Sequence, residues 1–260
     1  MKKTLFALAA LLLSFFVADA DNTVVKTFKM DGFSGIQADD AFEIIVEHSD
    51  SYKIEVELTE DFVPYLVVRN RAGILELGFS KLPLKLKQKD RKKVAKAVIK
   101  MPELHYVGLS GASTLKSNDE FTSPMQSFSI ELSGGSDITN LNINAPDVTV
   151  KLSGASKAIV SFRSSDVKAD LTGASRLDVV GRTEDFFVHA NGASKVNAEA
   201  FEAQNVDAKV AGASRVNVCP VRELSVELAG ASKCEYYGNS EELNIKSEKI
   251  GGASTLKKHK

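Results

Sequence analysis

The chain has no tryptophan, only two cysteines, six prolines and few aromatic residues, and its four histidines are scattered. Each scarcity narrows the function. His48, His105, His189 and His259 lack metal-ligand spacing, so no metal site is expected. A phosphate-binding loop and the calcium-binding glycine-rich nonapeptide are missing, and no cofactor is expected. Neither charge sign dominates, with 33 Lys and Arg against 34 Asp and Glu. That balance argues against bulk attraction to nucleic acid or to an anionic membrane. Alanine, valine, glycine and serine are plentiful instead, which suits narrow, layered packing more than a bulky globular core.

The first twenty residues have the make-up of an export signal. Lys2 and Lys3 precede an apolar run from Leu5 to Val17, and Ala18-Asp19-Ala20 places small residues where a signal peptidase reads. The run is shorter than the roughly 20 residues that span a bilayer comfortably. The reading is therefore export with cleavage, to the periplasm, the cell surface or the medium, with no membrane-spanning segment left behind. Without residues 1–20 the balance is 31 basic to 33 acidic residues.

A tripeptide then recurs along the chain. Gly-Ala-Ser, or Gly-Gly-Ser once, begins at Gly111, Gly134, Gly154, Gly173, Gly192, Gly212, Gly230 and Gly252, with spacings of 18 to 23 residues. Two, four and six residues before the glycine the chain is apolar, as in Val148/Val150/Leu152 and Val167/Ala169/Leu171, with mostly polar residues between. Strict alternation is strand with one buried face. Four residues after the glycine come Leu115, Ile138, Ala158, Leu177, Val196, Val216, Cys234 and Leu256, continuing that face beyond a corner. The period is too short for a propeller blade and leaves no room for helices. It fits one turn of a right-handed parallel β-helix, a single-stranded solenoid of about 20 residues per coil, with coils stacked at roughly 4.8 Å.

In such a stack, residues of one phase form columns. Ser113, Ser136, Ser156, Ser175, Ser194, Ser214, Ser232 and Ser254 form a corner ladder of inward parity. A nucleophilic role would need a base, and no histidine shares their phase, so the ladder reads as structural. Three residues after each glycine is an outward position, where Lys157, Arg176, Lys195, Arg215 and Lys233 follow one another. Neighbouring cations about 5 Å apart repel by roughly 1 kcal/mol in a water-like dielectric. Asp178 and Glu235, two residues further on, and Glu131, Asp170 and Glu227, before the corner, could compensate them. The column is then either a solvated, compensated face or a linear track for an anionic glycan or envelope component. Cys219 and Cys234 fall about 10 Å out of phase along neighbouring strands, which disfavours a disulfide without excluding one.

Residues 21–103 lack the tripeptide and read as a β-rich N-terminal segment, either the irregular first coils of the rod or a small β-cap on it, before the array of residues 104–260. Strands are expected over Thr23–Met30, Ala41–His48, Tyr52–Leu58, Leu66–Arg69, Ile74–Phe79 and Val94–Met101, with a helical turn within Glu60–Tyr65. The basic stretch from Lys81 to Lys93 reads as a solvated loop or an electrostatic contact. At the far end Glu248 stands where an apolar residue is expected, as in a frayed, charged cap.

With "LSGAS" at 109–113 and 152–156, and "MPELHYVGLSGAS" leading into the array, the chain resembles the autotransporter adhesin head GIN domain family of bacterial exported proteins. The resemblance runs from about Gly32 onward. It implies a β-rich lead segment joined to a short right-handed β-helix, and a cell-envelope or surface role with adhesion proposed by analogy. It brings no catalytic residues. No translocator barrel follows the last coil, so self-transport through an outer membrane is not expected. The resulting expectation is a non-catalytic, adhesin-like envelope protein that binds a polymer or protein partner through the faces of its rod. A polysaccharide-active β-helix enzyme and a purely structural periplasmic scaffold are the alternatives. The oligomeric state is not legible.

Overall fold

The computed structural model describes residues 22–83, 86, 95–238 and 243–259. The expected export signal of residues 1–20 and most of the basic stretch Lys81–Lys93 lie outside the described residues. The rest is nearly all strand.

The chain enters through β1 (Thr23–Phe28) and then makes a first coil from β2 (Gly35–Ala38) and β3 (Glu43–His48). It next leaves the stack. β4 (Lys53–Thr59), a 3-10 turn over Glu60–Tyr65, β5 (Leu66–Arg71), β6 (Ile74–Phe79) and β7 (Ala95–Met101) fold outward of that coil. β6 lies parallel on β2 and β7 parallel on β3. β4 packs antiparallel on β7, β1 on β4 and β5 on β6. Antiparallel neighbours need no crossover coil, so the rod's first end closes in a few short strands. Phe42 stacks on Phe79 at 5.3 Å and Phe62 meets the same ring edge-on at 5.6 Å, filling this end with aromatics.

The repeat array follows directly on the first coil in space. β8 (Tyr106–Leu109) pairs with β2, and β9 (Thr114–Thr122) with β3. Then come β10 (Phe128–Leu132), β11 (Asp137–Asn144), β12 (Asp147–Leu152), β13 (Lys157–Arg163) and β14 (Asp166–Leu171). Three long strands, β15 (Arg176–Ala190), β16 (Lys195–Val210) and β17 (Arg215–Leu228), each run through a whole coil. β18 (Lys233–Tyr236), β19 (Asn244–Ile250) and β20 (Thr255–Lys258) finish the stack. Every pairing in the array is parallel, and each coil pairs with the next one along. The result is a parallel β-solenoid of about 7 turns with around 20 residues per turn.

Two ladders run the length of the rod, one before the Gly-Ala-Ser corner and one after it. The alternation seen in the sequence sets their faces. Val148, Val150 and Leu152 align with Val167, Ala169 and Leu171, and all six are buried. Leu177, Val196 and Val216 do the same beyond the corner. Burying each such side chain stabilises by roughly 1.5–3 kcal/mol against leaving it in water. The core is a thin slab in which columns of like residues meet, with Phe186 edge-on to Phe201 at 5.2 Å.

At the far end the phase breaks. A register shift in β19 sets Glu248 opposite Val226, and Ile245 and Ile250 are exposed. Glu248 is itself exposed, and a charge on a terminal strand discourages further strand addition.

Candidate functional site

The corner is the element from which every outward column is positioned. Gly173 has φ of 76°, and a β-carbon on it would stand 2.6 Å from the carbonyl oxygen of Gly154 in the coil below. Glycine is needed there both for the left-handed backbone and for the close approach. The following alanine is exposed, and its N–H continues the ladder: Ala174 donates to the Gly154 carbonyl at 2.8 Å and Ala193 to that of Gly173 at 2.7 Å. The serine then turns inward.

All seven serines from Ser113 to Ser232 are at most 1% exposed. The hydroxyls of Ser136, Ser156, Ser175 and Ser194 donate to the carbonyls three residues earlier, at 2.8–3.0 Å. Ser214 accepts from the N–H of Ser194 at 3.2 Å, and Ser232 donates to Val210 at 3.1 Å. Ser254, in the last coil, donates to the Gly230 carbonyl at 3.3 Å. A hydroxyl that is buried and already donating to a carbonyl is a bracket for the backbone, with neither access nor a base to make it a nucleophile.

The next residue faces outward, and strand register places Asp137, Lys157, Arg176, Lys195, Arg215 and Lys233 on successive rungs. The column of five cations is therefore one continuous line along the rod, at the strand spacing of about 4.8 Å. Its members differ in their company. Arg176 makes a bidentate pair with Asp178, Nε and one terminal nitrogen donating at 2.7 and 2.8 Å, which raises the guanidinium pKa further. Lys233 pairs with Glu235, and this contact is the leading reason that carboxyl sits below its ordinary range. Lys157, Lys195 and Arg215 make no ion pair among the described residues. The acids before the corner look elsewhere: Glu131 pairs with Lys151 at 3.1 Å and Asp170 with His189 at 3.6 Å.

The reason lies two residues beyond the cations, in a column that sequence reasoning read only for its acids. Asp178, Asn197, Asn217 and Glu235 occupy four successive rungs. Carboxylates stand at the two ends, beside Arg176 and Lys233. Neutral amides stand in the middle, beside Lys195 and Arg215. Asn217 is 7% exposed and donates to Glu199 at 2.6 Å, so its own amide is held within the face. Aligning the position five residues after each glycine exposes this pattern, and that was the signal available.

Other chemistry is sparse. Cys219 and Cys234 are both free thiols. Burial pushes the Cys234 thiol up to about 12, and burial together with Glu202 raises that of Cys219. Among the described residues no group of three or more His, Cys, Asp or Glu could hold a metal ion, and no helix is long and apolar enough to cross a membrane.

Residues 32–240 match the family model described as putative auto-transporter adhesin, head GIN domain. The chain belongs to this family. Solved structures share the architecture of this GIN-domain protein. A putative adhesin from Parabacteroides merdae is 18% identical with a TM-score of 0.83, and the match covers 92% of this chain and 97% of that one. A putative lipid binding protein from Parabacteroides distasonis is 16% identical with a TM-score of 0.82, again over 92% and 97% of the two chains. A putative adhesin from the same species is 16% identical with a TM-score of 0.80, over 91% and 97%. At these identities the likeness is one of fold. No curated protein matches the chain.

Proposed function

We propose that this GIN-domain protein is an exported, non-catalytic, adhesin-like component of the cell envelope that holds an anionic polymer along the column Lys157, Arg176, Lys195, Arg215 and Lys233. The signal-like first twenty residues and the family support the exported, surface-directed part of this reading. The observation that carries the ligand is the column itself. Cations of one sign stand on consecutive rungs, and those at Lys157, Lys195 and Arg215 lack an acidic partner among the described residues. An arrangement that repels itself is unfavourable in the free protein and is relieved by a matching line of negative charge. An acidic polysaccharide or a string of lipid-borne phosphates would supply it. Long range attraction of this kind weakens as salt rises.

The test is retention on a heparin support. The protein is expected to bind at low salt and elute on a salt gradient. Replacing Lys157, Lys195 and Arg215 together by Gln is expected to send it through the column unretained with its melting temperature unchanged. Equal retention of the variant would reject the track.

A further inference from the structure

The opposite corner-flanking sheet carries a second surface of different character, made by the outward residues of the pre-corner ladder. Two aromatic side chains share one column of it. Tyr106, Ser129, Thr149, Lys168, Phe187 and Asp207 lie on successive rungs, so Tyr106 and Phe187 are four rungs apart. That is about 19 Å along the rod.

Both rings reach the surface, Tyr106 half-buried and Phe187 exposed. Tyr106 bends over Gly108, two residues on: a β-carbon on Gly108 would fall 2.4 Å from the tyrosine oxygen and 2.9 Å from the ring carbon that bears it. The missing side chain is what lets the ring lie down on the sheet, and its hydroxyl is tied to Glu131 at 3.3 Å. Phe187 is 41% exposed, one of few large apolar side chains left in water, with the Lys168 ammonium 5.9 Å from its ring centre. A groove of about 530 Å³ starts at Tyr106 and Gln37 and reaches Asp170 and Thr172. A second, of about 310 Å³, takes up at Asp170 and holds Phe187, His189 and Asp207. Asp170 lines both, so the two adjoin there, and together they are called the channel.

The channel's charge is balanced within itself. Glu131, Lys151, Asp170, His189 and Lys209 stand on successive rungs, with Lys151 bonded to Glu131 and His189 beside Asp170. Its other bank is a line of hydroxyls, Ser110, Ser133, Ser153 and Thr172. Those of Ser153 and Thr172 donate to backbone carbonyls, leaving their oxygen lone pairs to accept from outside.

These features select a ligand. A charged polymer finds no net opposite charge here. A peptide strand finds no free backbone, because every strand beneath the channel is already paired on both sides. A lipid finds no continuous apolar patch. What fits is a chain of flat rings, apolar on their faces and rich in hydroxyls at their edges, repeating at about the rung spacing. We propose that the outer face of the pre-corner sheet binds an extended, uncharged polysaccharide lying along the rod axis, with Tyr106 and Phe187 as stacking platforms and Asp170, His189, Asp207 and Lys209 as hydroxyl partners. This site is separate from the cation column and stands or falls without it.

The experiment is native affinity electrophoresis of the purified protein in gels containing mixed-linkage β-glucan, xyloglucan or galactomannan. At least one polymer is expected to retard the protein. Phe187→Ala and Tyr106→Ala are each expected to weaken that retardation at least tenfold in apparent Kd, while Phe187→Trp keeps it. The Lys157, Lys195 and Arg215 to Gln variant is expected to be retarded as strongly as the parent. Phe187 is exposed, so Phe187→Ala remains decisive even if Tyr106→Ala disturbs the fold. Unretarded migration of the parent in all three gels, or equal retardation of Phe187→Ala, would overturn the proposal.

Discussion

Gly111 rests on Asp40: a β-carbon on Gly111 would stand 3.0 Å from the Asp40 backbone nitrogen. The register of β2 on β8 and β3 on β9 makes Asp40 and Ala41 the counterparts of Gly111 and Ala112. The first coil therefore turns its corner at the same place without the tripeptide, and by a different backbone path, since in the repeats only the glycine is left-handed. Asp40 adopts φ of 66° and Ala41 φ of 65°, both left-handed. Asp40 is partly recompensed, because its carboxylate accepts from the Phe79 N–H at 3.0 Å. Phe42 fills the serine's place and its N–H donates to Ser113 at 3.2 Å.

Ala41 is exposed and has only its backbone strain to lose. Ala41→Gly is expected to stabilise the protein by about 1 kcal/mol. Asp40→Gly gives up the bond to Phe79 for the same relief and is expected to be neutral or destabilising. Thermal unfolding of the two variants checks the contrast; a loss of stability in Ala41→Gly would contradict it.

This corner also marks how far the sequence could be read. Wherever Gly-Ala-Ser recurs, the alternation on either side makes coil, corner and inward face legible, and Ser156, Ser175 and Ser194 stack as that rhythm requires. The first coil was open only as an irregular one, because Asp39-Asp40-Ala41-Phe42 discards the letters and turns through two left-handed residues where the repeats use one. Nor could local pattern show that β4 to β7 fold outward of it, since strand partners distant in sequence leave no periodic trace. For the site, phase alone assembled the cation column. The partition of its members into paired and unpaired depended on Asn197 and Asn217, whose importance lies in what they are not. The flatness of the Tyr106 ring depended on a three-dimensional gap above Gly108.

At the regular corners the tolerance is reversed. Gly173→Ala brings a methyl group to 2.6 Å from the Gly154 carbonyl oxygen at a φ of 76°. Strain and displacement of the neighbouring coil are expected to cost roughly 2–5 kcal/mol. Ala174→Gly, one residue on and exposed, is expected to cost under about 1 kcal/mol. Chemical denaturation of both variants measures the difference, and comparable losses would show that the column of glycines is not what fixes the stack.

The serine ladder makes a separate claim. Ser175 is 1% exposed and donates to Thr172 at 3.0 Å. Ser175→Ala is expected to lose about 1–2 kcal/mol of stability by leaving that carbonyl unpaired. It is expected to leave heparin retention untouched, and a serine-reactive fluorophosphonate should label neither protein. Covalent labelling of the parent at any corner serine would reverse the structural reading.

The two thiols give a pH-dependent readout. A raised thiol pKa lowers the thiolate fraction at any given pH, and the thiolate is the reactive species. At pH 8 in the folded protein Cys234, held near 12, is expected to be inert to a disulfide reagent. Cys219 is expected to react more slowly than free cysteine and to speed up as pH climbs above 9. Both should react in guanidinium chloride. Rapid release of two equivalents from native protein would show that the coil around Cys234 opens readily.

The division of labour between Asp178 and Asn197 can be tested without removing a single cation. The two occupy adjacent rungs of one column, the first beside Arg176 and the second beside Lys195. Asp178 neutralises its neighbour through two hydrogen bonds, whereas Asn197 leaves Lys195 uncompensated. Asn197→Asp converts the second arrangement into the first. If the uncompensated stretch is what holds a polyanion, this change is expected to weaken heparin binding roughly fivefold, the effect of about 1 kcal/mol from one new charge nearby. Ser129→Asp alters net charge equally but on the other sheet's outer face, and is expected to shift elution far less. Equal shifts for the two would mean that retention reports overall charge, and the ordered column would lose its claim to the ligand.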